Sequence, residues 1–374
     1  MQKLLCIIII FFVCNNIVPA ENSDTLQKST NISIDISPGH GPGSVFYSTS
    51  VFITPFISLD DFTFGREKNW KKSFSTTLRQ NDSISLFHKD DGIFCLADTL
   101  KPLFKKWQIN TFAAVFYAGS LTGLSFLWYS DYSTGRFHAF NDMDEWKGID
   151  KLGHMTTAHH FARVQSDLYQ AAGYTRAQSA RISALCSFGY MTVIEVLDGF
   201  SEGWGFSVGD MCANTLGTGL FVANELSGKE NLLTVKMSFH YTGYAKYNPS
   251  LLGENKLQQP LKDYNGQTYW LSLNLKDCLP KESRFPAWLN LALGYGADGM
   301  IGGSENPTEV DGVAVPFFNR YSRWYLAPDI DFSRIPVRGR GWKLLLRSLN
   351  FIKFPAPAIE WNSENGLKGH FLYF

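Results

Sequence analysis

Four carboxylates fall within sixteen residues near the middle of the chain, in the stretch EVLDGFSEGWGFSVGD. They are Glu195, Asp198, Glu202 and Asp210, and the flanking segments ALCSFGYMTVI and TLGTGLFVA carry no charged residue. A carboxylate in apolar surroundings is costly unless it is protonated or paired with a cation. The pattern therefore predicts a polar site at which these acids meet basic or metal partners.

The basic partners are expected from the segment DKLGH, which begins at Asp150. Lys151 and His154 are three residues apart, so they share one face of a helix. Asp210 and Asn214 are four apart and share a face of a later helix. The candidate site residues are Lys151, His154, Glu195, Asp198, Asp210 and Asn214.

Three roles are open for this cluster. It is a structural network that holds the helices together, or it binds a divalent metal, since histidine with carboxylates suits Mg²⁺, Mn²⁺ or Zn²⁺. Alternatively, His154 is a general acid or base beside a lysine that binds an anionic group. No other cofactor is predicted. The sequence contains no His-Glu-x-x-His motif and no phosphate-binding loop, so whether the protein is an enzyme stays undecided.

Several of these residues also have simpler explanations. Asp150 suits a helix N-cap, and Asp210 has capping-box spacing with Ser207. The adjacent histidines His159 and His160 point to different sides of a helix, which predicts partial exposure rather than a shared metal.

Residues 101–228 have a helical pattern with four predicted helices. The first begins near Pro102 and runs to Tyr129. Its uncharged stretch, 109–129, would be about 30 Å long, so a buried core helix and a transmembrane helix both fit.

The next three helices are bounded by capping signals. The second runs from Asp150 to a stop at Gly173, and the third follows the Thr175–Gln178 capping box to about Leu197. The fourth follows Ser207 and ends near residue 226. If the third and fourth helices pack antiparallel, the glycine-rich connection brings the acids to one end of the bundle.

Residues 229–374 contain short aromatic, alternating runs that predict strands. These runs are LTVKMSFHYTGYAKY, QTYWLSLNL, AWLNLALGYGADGM, RWYLAPDIDF and GHFLYF, with GWKLLLRSLNFI as a short helix. The terminal Phe374 is similar to the end of outer-membrane β-barrel proteins, but the runs are few for a barrel. We expect an α+β fold: a central antiparallel helical bundle and a β-rich, aromatic C-terminal region, with the sheet packed on the bundle or lying at a membrane surface.

The N-terminus predicts export. Lys3 and the run LLCIIIIFFVC match a signal peptide over residues 1–20, with cleavage before Glu21. Lipidation at Cys14 is the rival interpretation. Residues 21–100 form a mixed segment with β-like runs. Export permits disulfides, whereas Cys186 and Cys212 lie in apolar helical stretches and are expected to be buried.

The composition limits the kinds of partner that this protein is expected to bind. The chain of 374 residues balances 34 basic against 34 acidic residues and has no basic block, which excludes nucleic acid as an expected partner. Aromatic residues make up 15% of the chain, a content typical of interfaces and membrane belts. A membrane or another envelope component is therefore the expected partner.

The segments DKLGH, EVLDGFS and GFSVGDMCANTLG carry a family resemblance over residues 145–225. In this order they resemble the YfiM-like family of predicted periplasmic lipoproteins. More distantly they are similar to VanZ-like membrane proteins, although Glu195 here precedes an Asp198 turn instead of a Glu-x-x-Gln arrangement. The resemblance implies a bacterial envelope protein of unknown biochemistry, and glycopeptide resistance is not predicted.

Together these observations predict an exported protein, located in the periplasm or at a membrane, the outer membrane included. The first functional hypothesis is a membrane-associated scaffolding or binding role built on the polar cluster. The alternative is an envelope hydrolase that acts on a lipid or cell-wall precursor through its His, Glu and Asp residues.

Overall fold

The computed structural model describes residues 101–126, 133, 135–229 and 231–374. The predicted signal peptide, the mixed segment 21–100, and Cys14 lie outside the described residues. Four long helices come first in the described part of the chain: α1 (Lys106–Leu124), α2 (Ile149–Ala171), α3 (Arg176–Asp198) and α4 (Val208–Ser227). The last three match the predicted ranges to within two residues at each end.

The capping signals explain this agreement. Thr175 accepts a hydrogen bond from the backbone of Gln178, whose side chain accepts one from the backbone of Thr175. Ser207 likewise accepts from the backbone N–H of Asp210 at the start of α4. Satisfying these backbone donors fixes where a helix begins. The prediction for Asp150 was wrong, because the N-cap of α2 is Gly148 and Asp150 lies in its first turn.

Helix α1 differs from its prediction at both ends. It begins at Lys106, four residues after Pro102, and ends at Leu124, while residues 127–129 of the predicted helix lie outside the described residues. Its only buried residues are Ile109, Tyr117 and Leu121. Among the described residues, one helix, α3, is long and apolar enough to cross a membrane, a property that core helices of soluble proteins share.

Helix α2 lies among the other helices and contacts each of them. Helix α4 approaches it most closely at Gly217, where an added Cβ would lie 2.1 Å from the backbone oxygen of Met155. A side chain at this position would therefore push the two helices apart. The close approach brings the start of α4 beside the start of α2.

The C-terminal region forms a six-stranded antiparallel sheet in the order β1-β2-β3-β6-β7-β8. The strands are β1 (Leu233–Phe239), β2 (Gln267–Asn274), β3 (Leu289–Asp298), β6 (Tyr321–Ile330), β7 (Ala356–Asn362) and β8 (Gly366–Tyr373). Strand β7, sequence APAIEWN, was not predicted. Two-residue strands β4 (Glu309–Val310) and β5 (Val313–Ala314) form a separate hairpin.

Short helices connect these strands. They are α5 (Pro249–Leu252), α6 (Gln259–Lys262), α7 (Leu275–Cys278) and α8 (Arg340–Ser348). Two 3₁₀ turns lie in the same region, at Phe332–Arg334 and Leu349–Phe351, and another, Glu145–Gly148, directly precedes α2. Helix α8 confirms the short helix predicted from GWKLLLRSLNFI. The chain is thus α+β.

Helix α2 packs against the sheet near β1. The imidazole of His160 lies 2.5 Å from the backbone oxygen of Val235, and that of His159 lies 3.2 Å from the hydroxyl of Thr234. Both histidines are buried, so the predicted partial exposure was wrong. Burial lowers the pKa of His160 to about 3 and also lowers that of His159.

The two faces of the sheet have opposite chemistry. One face carries rows of cross-strand apolar partners, and many of these side chains are exposed: Leu271, Leu291, Leu293, Trp324, Leu326, Ile359, Trp361 and Leu367. We call this set the apolar face. The other face is buried and holds polar and charged side chains together with Trp270 and Tyr325.

A network of charges lies on that buried face. Lys236 is completely buried, and its ammonium lies 2.9 Å from Oδ2 of Asp329. The Ser272 hydroxyl donates to the same carboxylate, and the ammonium of Lys353 lies 3.9 Å from its other oxygen. We call Lys236, Ser272, Asp329 and Lys353 the sheet network.

The cysteines differ from their prediction in part. Cys186 in α3 is buried as expected, whereas Cys212 is exposed near the start of α4. Cys212 lies on the outer side of α4, between the buried positions Asp210 and Asn214.

Candidate functional site

An unusual turn places the first residues of the site. Trp146, Lys147 and Gly148 have φ angles of 48°, 52° and 75°, all in the left-handed region. For the two non-glycine residues this conformation costs about 1–2 kcal/mol each. Burial of the Trp146 ring and a hydrogen bond from the Tyr295 hydroxyl to the Lys147 carbonyl hold it in place. The turn fixes where α2 starts, and so where Asp150 and Lys151 lie.

Lys151 lies among three carboxylates. Its ammonium is 2.7 Å from Oδ2 of Asp142, 2.9 Å from Oδ1 of Asp210 and 3.1 Å from Oδ2 of Asp150. Burial alone would lower the pKa of Lys151, but Asp150 and Asp210 raise it on balance. The lysine is therefore charged and binds three acids from three segments of the chain.

His154 lies one turn further along α2, and its two ring nitrogens face different groups. Its Nδ1 is 3.2 Å from Oε1 of Glu195 and 3.3 Å from Oδ1 of Asn214. While Glu195 is ionised, both neighbours are acceptors and Nδ1 carries the proton. Its Nε2 points the other way, 3.8 Å from Oδ1 of Asp150 and 3.9 Å from Oδ1 of Asp210. Burial alone would lower the pKa of His154, but the surrounding carboxylates, Asp150 first, raise it.

Glu195 is, with Asn214, one of the two most deeply buried members of the site. The residue is 1% exposed, and neither carboxylate oxygen accepts a hydrogen bond, although His154 is in contact. Burial raises the pKa of Glu195 to about 8, with His154 acting against the shift. Burial and the nearby Asp150 raise the pKa of Asp210 to about 7.

Asp150 behaves differently from these two acids. Its carboxylate accepts a hydrogen bond from the Tyr264 hydroxyl at 2.9 Å and one from Lys151. Burial alone would raise its pKa, but His154 and Lys151 lower it on balance. Asp150 is therefore an ionised member of the site and not the helix cap that its sequence position suggests.

Five of the six sequence-predicted residues come together in this way. Asp198, the last residue of α3, lies close enough to raise the pKa of both His154 and Glu195. Glu202, also part of the acidic stretch, lies apart at the surface and accepts a hydrogen bond from Ser133. We call the following residues the polar cluster: Asp142, Asp150, Lys151, His154, Glu195, Asp210 and Asn214. Their role stays a prediction.

Sequence reasoning missed two contributors, Asp142 and Tyr264. Asp142 precedes α2. Its carboxylate lies 2.7 Å from the Lys151 ammonium and accepts a hydrogen bond from the Ser207 hydroxyl at 2.6 Å. Tyr264 comes from the region between β1 and β2. The acidic segment NDMDE was the available signal for Asp142, whereas nothing in the sequence relates Tyr264 to a residue over a hundred positions earlier.

The connection between α3 and α4 contains two Gly-x-Ser-x-Gly stretches, GFSEG and GFSVG. In hydrolases this pattern presents a serine nucleophile on a turn between a strand and a helix. Here Ser201 follows a helix, and Ser207 caps α4 while donating to Asp142. Both serines are buried, so the strand–turn–helix context that would support a nucleophile is missing from this described part of the chain.

The cluster has donors suited to a metal ion. One ligand atom each from Asp150, His154 and Asp210 lie within 4.8 Å of one another. Side chains of Asp150 and His154 are 20% and 16% exposed, whereas Glu195 beneath them is sealed. The site is thus open on the α2 side and closed at its base.

Comparison with known proteins gives one family. Residues 138–224 match the model of a family described as "Predicted periplasmic lipoprotein (DUF2279)". The matched range covers α2, α3 and most of α4, and so all members of the polar cluster. Nothing in the comparisons supports the more distant resemblance to VanZ-like proteins. The searches of curated proteins and of solved structures found no match. Over residues 138–224 the chain is therefore similar to predicted periplasmic lipoproteins, which fits an exported envelope protein.

Proposed function

We propose that this chain is a cell-envelope protein that lies with the apolar face of its sheet against lipid acyl chains and presents the polar cluster as a binding module beside the membrane. The observation that carries the proposal is the inverted polarity of the sheet. A water-soluble antiparallel sheet buries its apolar face and exposes its polar one. This sheet buries lysine, arginine, aspartate and glutamate and exposes leucine, isoleucine and tryptophan.

The apolar face is ordered in rows. Leu271, Leu293, Leu326 and Ile359 are successive cross-strand partners in one row. The next row runs from Tyr269 and Tyr295, which pack beside the start of α2, to the exposed side chains of Trp324, Trp361 and Leu367. Aliphatic rows beside an aromatic row are the arrangement found where a sheet meets the lipid interface.

The dimensions suit contact with lipid. Residues 289–295 of β3 place four side chains on this face, a band of about 20 Å along the strand, close to the apolar band of about 25 Å on membrane sheets. Exposed apolar side chains also occur on α1, where Trp107, Phe112 and Val115 are 62%, 55% and 65% exposed. An apolar surface of this extent marks a binding site.

Vesicle flotation of the full chain tests the proposal. Purified protein is mixed with vesicles of phosphatidylethanolamine and phosphatidylglycerol. The wild type should float, and the double variant L293K/L326K, which puts two charges on the apolar face, should lose at least about tenfold in binding because a lysine in the apolar band costs about 2–4 kcal/mol. The control L257K/F317K changes residues that are 88% and 92% exposed outside the sheet and should float as the wild type does.

If the apolar face is covered by something other than lipid, the flotation experiment gives a different result. If a second copy covers it, the wild type is a soluble dimer that L293K/L326K dissociates. If residues 21–100 cover it, the wild type stays monomeric without detergent and does not float. Either result contradicts the lipid proposal, provided that circular dichroism shows the variants folded.

Localisation rests on a separate prediction. Signal peptidase cleavage before Glu21 should give an exported protein, whereas lipidation at Cys14 would agree with the description of the matched family. Mass spectrometry of the mature N-terminus distinguishes them. An unprocessed chain in the cytoplasm contradicts both, and fractionation of inner and outer membranes assigns the membrane.

The second candidate function is an envelope hydrolase acting on a lipid or cell-wall precursor. The observation in its favour is the orientation of His154, whose Nδ1 side is held by Glu195 and Asn214 while its Nε2 side reaches the open part of the site. A histidine oriented by a carboxylate serves as a general base. His154→Gln should then abolish release of product from a lipid-linked precursor without lowering vesicle binding, and equal activity of wild type and variant contradicts this function.

A further inference from the structure

The polar cluster contains more carboxylates than its ammonium and imidazole groups can neutralise. Four carboxylates, from Asp142, Asp150, Glu195 and Asp210, contact one ammonium and one imidazole. When all four carboxylates are ionised, a negative charge is left over whichever protonation state His154 adopts. In surroundings of low dielectric constant such an excess is costly unless a cation or a proton compensates it.

The donor atoms of three residues point to one place. The Nε2 of His154 lies 3.8 Å from Oδ1 of Asp150 and 3.9 Å from Oδ1 of Asp210, and the three ligand atoms lie within 4.8 Å of one another. Ligands placed tetrahedrally at about 2.1 Å from one ion are about 3.4 Å apart. The two distances from His154 exceed this by about half an ångström, and the Asp150–Asp210 pair would have to close by up to about 1.4 Å for the three residues to share an ion.

Glu195 gives a second and independent indication. It is 1% exposed, its two oxygens accept no hydrogen bond, and it lies against the Nδ1 side of His154. A carboxylate behind a histidine fixes the imidazole with its other nitrogen turned toward a metal. In a purely structural network this carboxylate would be expected to accept hydrogen bonds from backbone or side-chain donors.

Lys151 is the competitor for this place, since its ammonium is 2.9 Å from Oδ1 of Asp210. Its closest partner, however, is Asp142 at 2.7 Å, outside the three-residue set. Asp142 also accepts from Ser207, so it is held where it can keep the lysine. The ammonium can move toward Asp142 and leave Asp150 and Asp210 to an ion.

We infer that Asp150, His154 and Asp210 bind a divalent transition-metal ion, with Glu195 as the residue that orients His154. One imidazole nitrogen and two carboxylate oxygens form a donor set that suits Zn²⁺ or Mn²⁺. Three protein ligands leave coordination positions for water or an anionic group on the exposed side, where Asp150 and His154 are 20% and 16% exposed. The inference goes beyond the membrane role and does not depend on it.

Metal titration of the full chain in mild detergent tests the inference. The protein is stripped with EDTA, dialysed and titrated with ZnCl₂ by calorimetry and with MnCl₂ by electron paramagnetic resonance. The wild type should bind one equivalent of at least one ion. Asp150→Asn and Asp210→Asn should each weaken binding at least about tenfold, and Glu195→Gln about 10–100-fold, as for other residues that orient a metal-binding histidine.

A matched control is available in the sheet. Glu360 is buried and lies 2.6 Å from His370, so it is also a carboxylate beside a histidine. Glu360→Gln should leave metal affinity unchanged. Lys151→Met, which removes the competing ammonium, should strengthen binding, a result that a structural role for the cluster does not predict.

Three outcomes overturn the inference. The first is a folded wild type that binds neither ion at millimolar concentration. The second is binding that Asp150→Asn and Asp210→Asn leave unchanged while circular dichroism shows them folded. The third is weaker binding in Lys151→Met, which would show that an ion does not take the place of the ammonium beside Asp150 and Asp210. Vesicle flotation is measured on the same samples, so a failure here is distinguishable from a failure of the membrane proposal.

Discussion

The sheet network and the polar cluster both bury charges, but they compensate them in opposite ways. In the sheet, two lysines share Asp329, and their other protons go to backbone carbonyls: Lys236 donates to Ile330, and Lys353 donates to Pro328 and Phe354. The ring of Trp270 adds a cation–π contact to Lys353. The excess there is positive, and the protein itself supplies acceptors for it.

The polar cluster has a negative excess and no equivalent supply of donors. Neither carboxylate oxygen of Glu195 accepts a hydrogen bond. The side chains of Asp150, Lys151 and His154 are 12–20% exposed, whereas Lys236 and Asp329 are completely buried. A sealed network with its own acceptors serves the fold. A cluster that stays short of donors and is open to solvent is suited to a ligand.

The largest expected effect is in the sheet. Asp329→Asn removes the carboxylate shared by Lys236 and Lys353 and leaves two buried ammonium groups without a counter-charge. The free energy of unfolding should fall by about 3–5 kcal/mol, as for a broken buried ion pair. Urea or thermal unfolding in detergent measures it. A loss below about 1 kcal/mol would show that backbone carbonyls alone satisfy the lysines.

Replacing one lysine in each region allows the next comparison, between the stability losses that the two substitutions cause. Lys151→Met leaves three carboxylates without their ammonium, and we expect a loss of about 1.5–3 kcal/mol, the range for hydrogen bonds to charged groups. Lys353→Met should cost less, because Asp329 keeps Lys236 at 2.9 Å. Adding Zn²⁺ or Mn²⁺ should restore stability to Lys151→Met and not to Lys353→Met. Equal recovery of both would contradict the distinction between the two regions.

The two regions should also respond to pH with opposite signs when EDTA is present. The pKa of Glu195 is raised to about 8 by burial, so the folded protein binds this proton more tightly than the unfolded chain does. Its stabilising effect is complete below the unfolded pKa of about 4.3 and is lost as pH rises to about 8. Burial lowers the pKa of Lys353 to about 8, against the pull of Asp329. This lysine therefore favours the unfolded state below pH 8, and stability recovers as pH rises from about 8 to 10.4.

Unfolding measured at several pH values tests both predictions, the one for Glu195 and the one for Lys353. One proton gives a slope of up to about 1.4 kcal/mol per pH unit. The wild type should lose stability between pH 5 and 8, and Glu195→Gln should flatten that slope. Lys353→Met should flatten the rise above pH 8 and leave the lower range unchanged. A slope between pH 5 and 8 that persists in Glu195→Gln would assign the titration to another group, such as Asp210.

The sequence predicted the helices of this protein better than the site that they build. Local signals decide the helix ends, and the capping residues Thr175 and Ser207 place α3 and α4 to within two residues. Helical spacing also predicted that Lys151, His154, Glu195, Asp210 and Asn214 come together. Asp150 was misassigned because a carboxylate in a first turn looks the same in sequence whether it caps the helix or binds a lysine. Asp142 and Tyr264 were missed because their contacts depend on tertiary packing.

The sheet shows the same limit. Its strands were recognised from alternation, except β7, whose proline and glutamate obscure the pattern in APAIEWN. Alternation does not tell which face is buried. Only the register, with Leu271, Leu293 and Leu326 as neighbours across three strands, shows that the apolar residues form one exposed surface and the charged ones an interior.

The smallest expected effect gives the sharpest test of the comparison. Glu195→Gln keeps the shape of a side chain whose oxygens accept no hydrogen bond and whose raised pKa shows that the neutral form is favoured. At pH 6 the amide therefore replaces a group that is already mostly protonated, and the free energy of unfolding should change by less than about 1 kcal/mol. Glu360→Gln in the sheet should cost more, because Glu360 accepts from Asn362 and lies 2.6 Å from His370. If Glu195→Gln instead unfolds the protein as Asp329→Asn does, the cluster belongs with the sheet network as a structural device. If the variant is stable and loses metal affinity, the negative excess of the cluster is retained for a ligand and not for the fold.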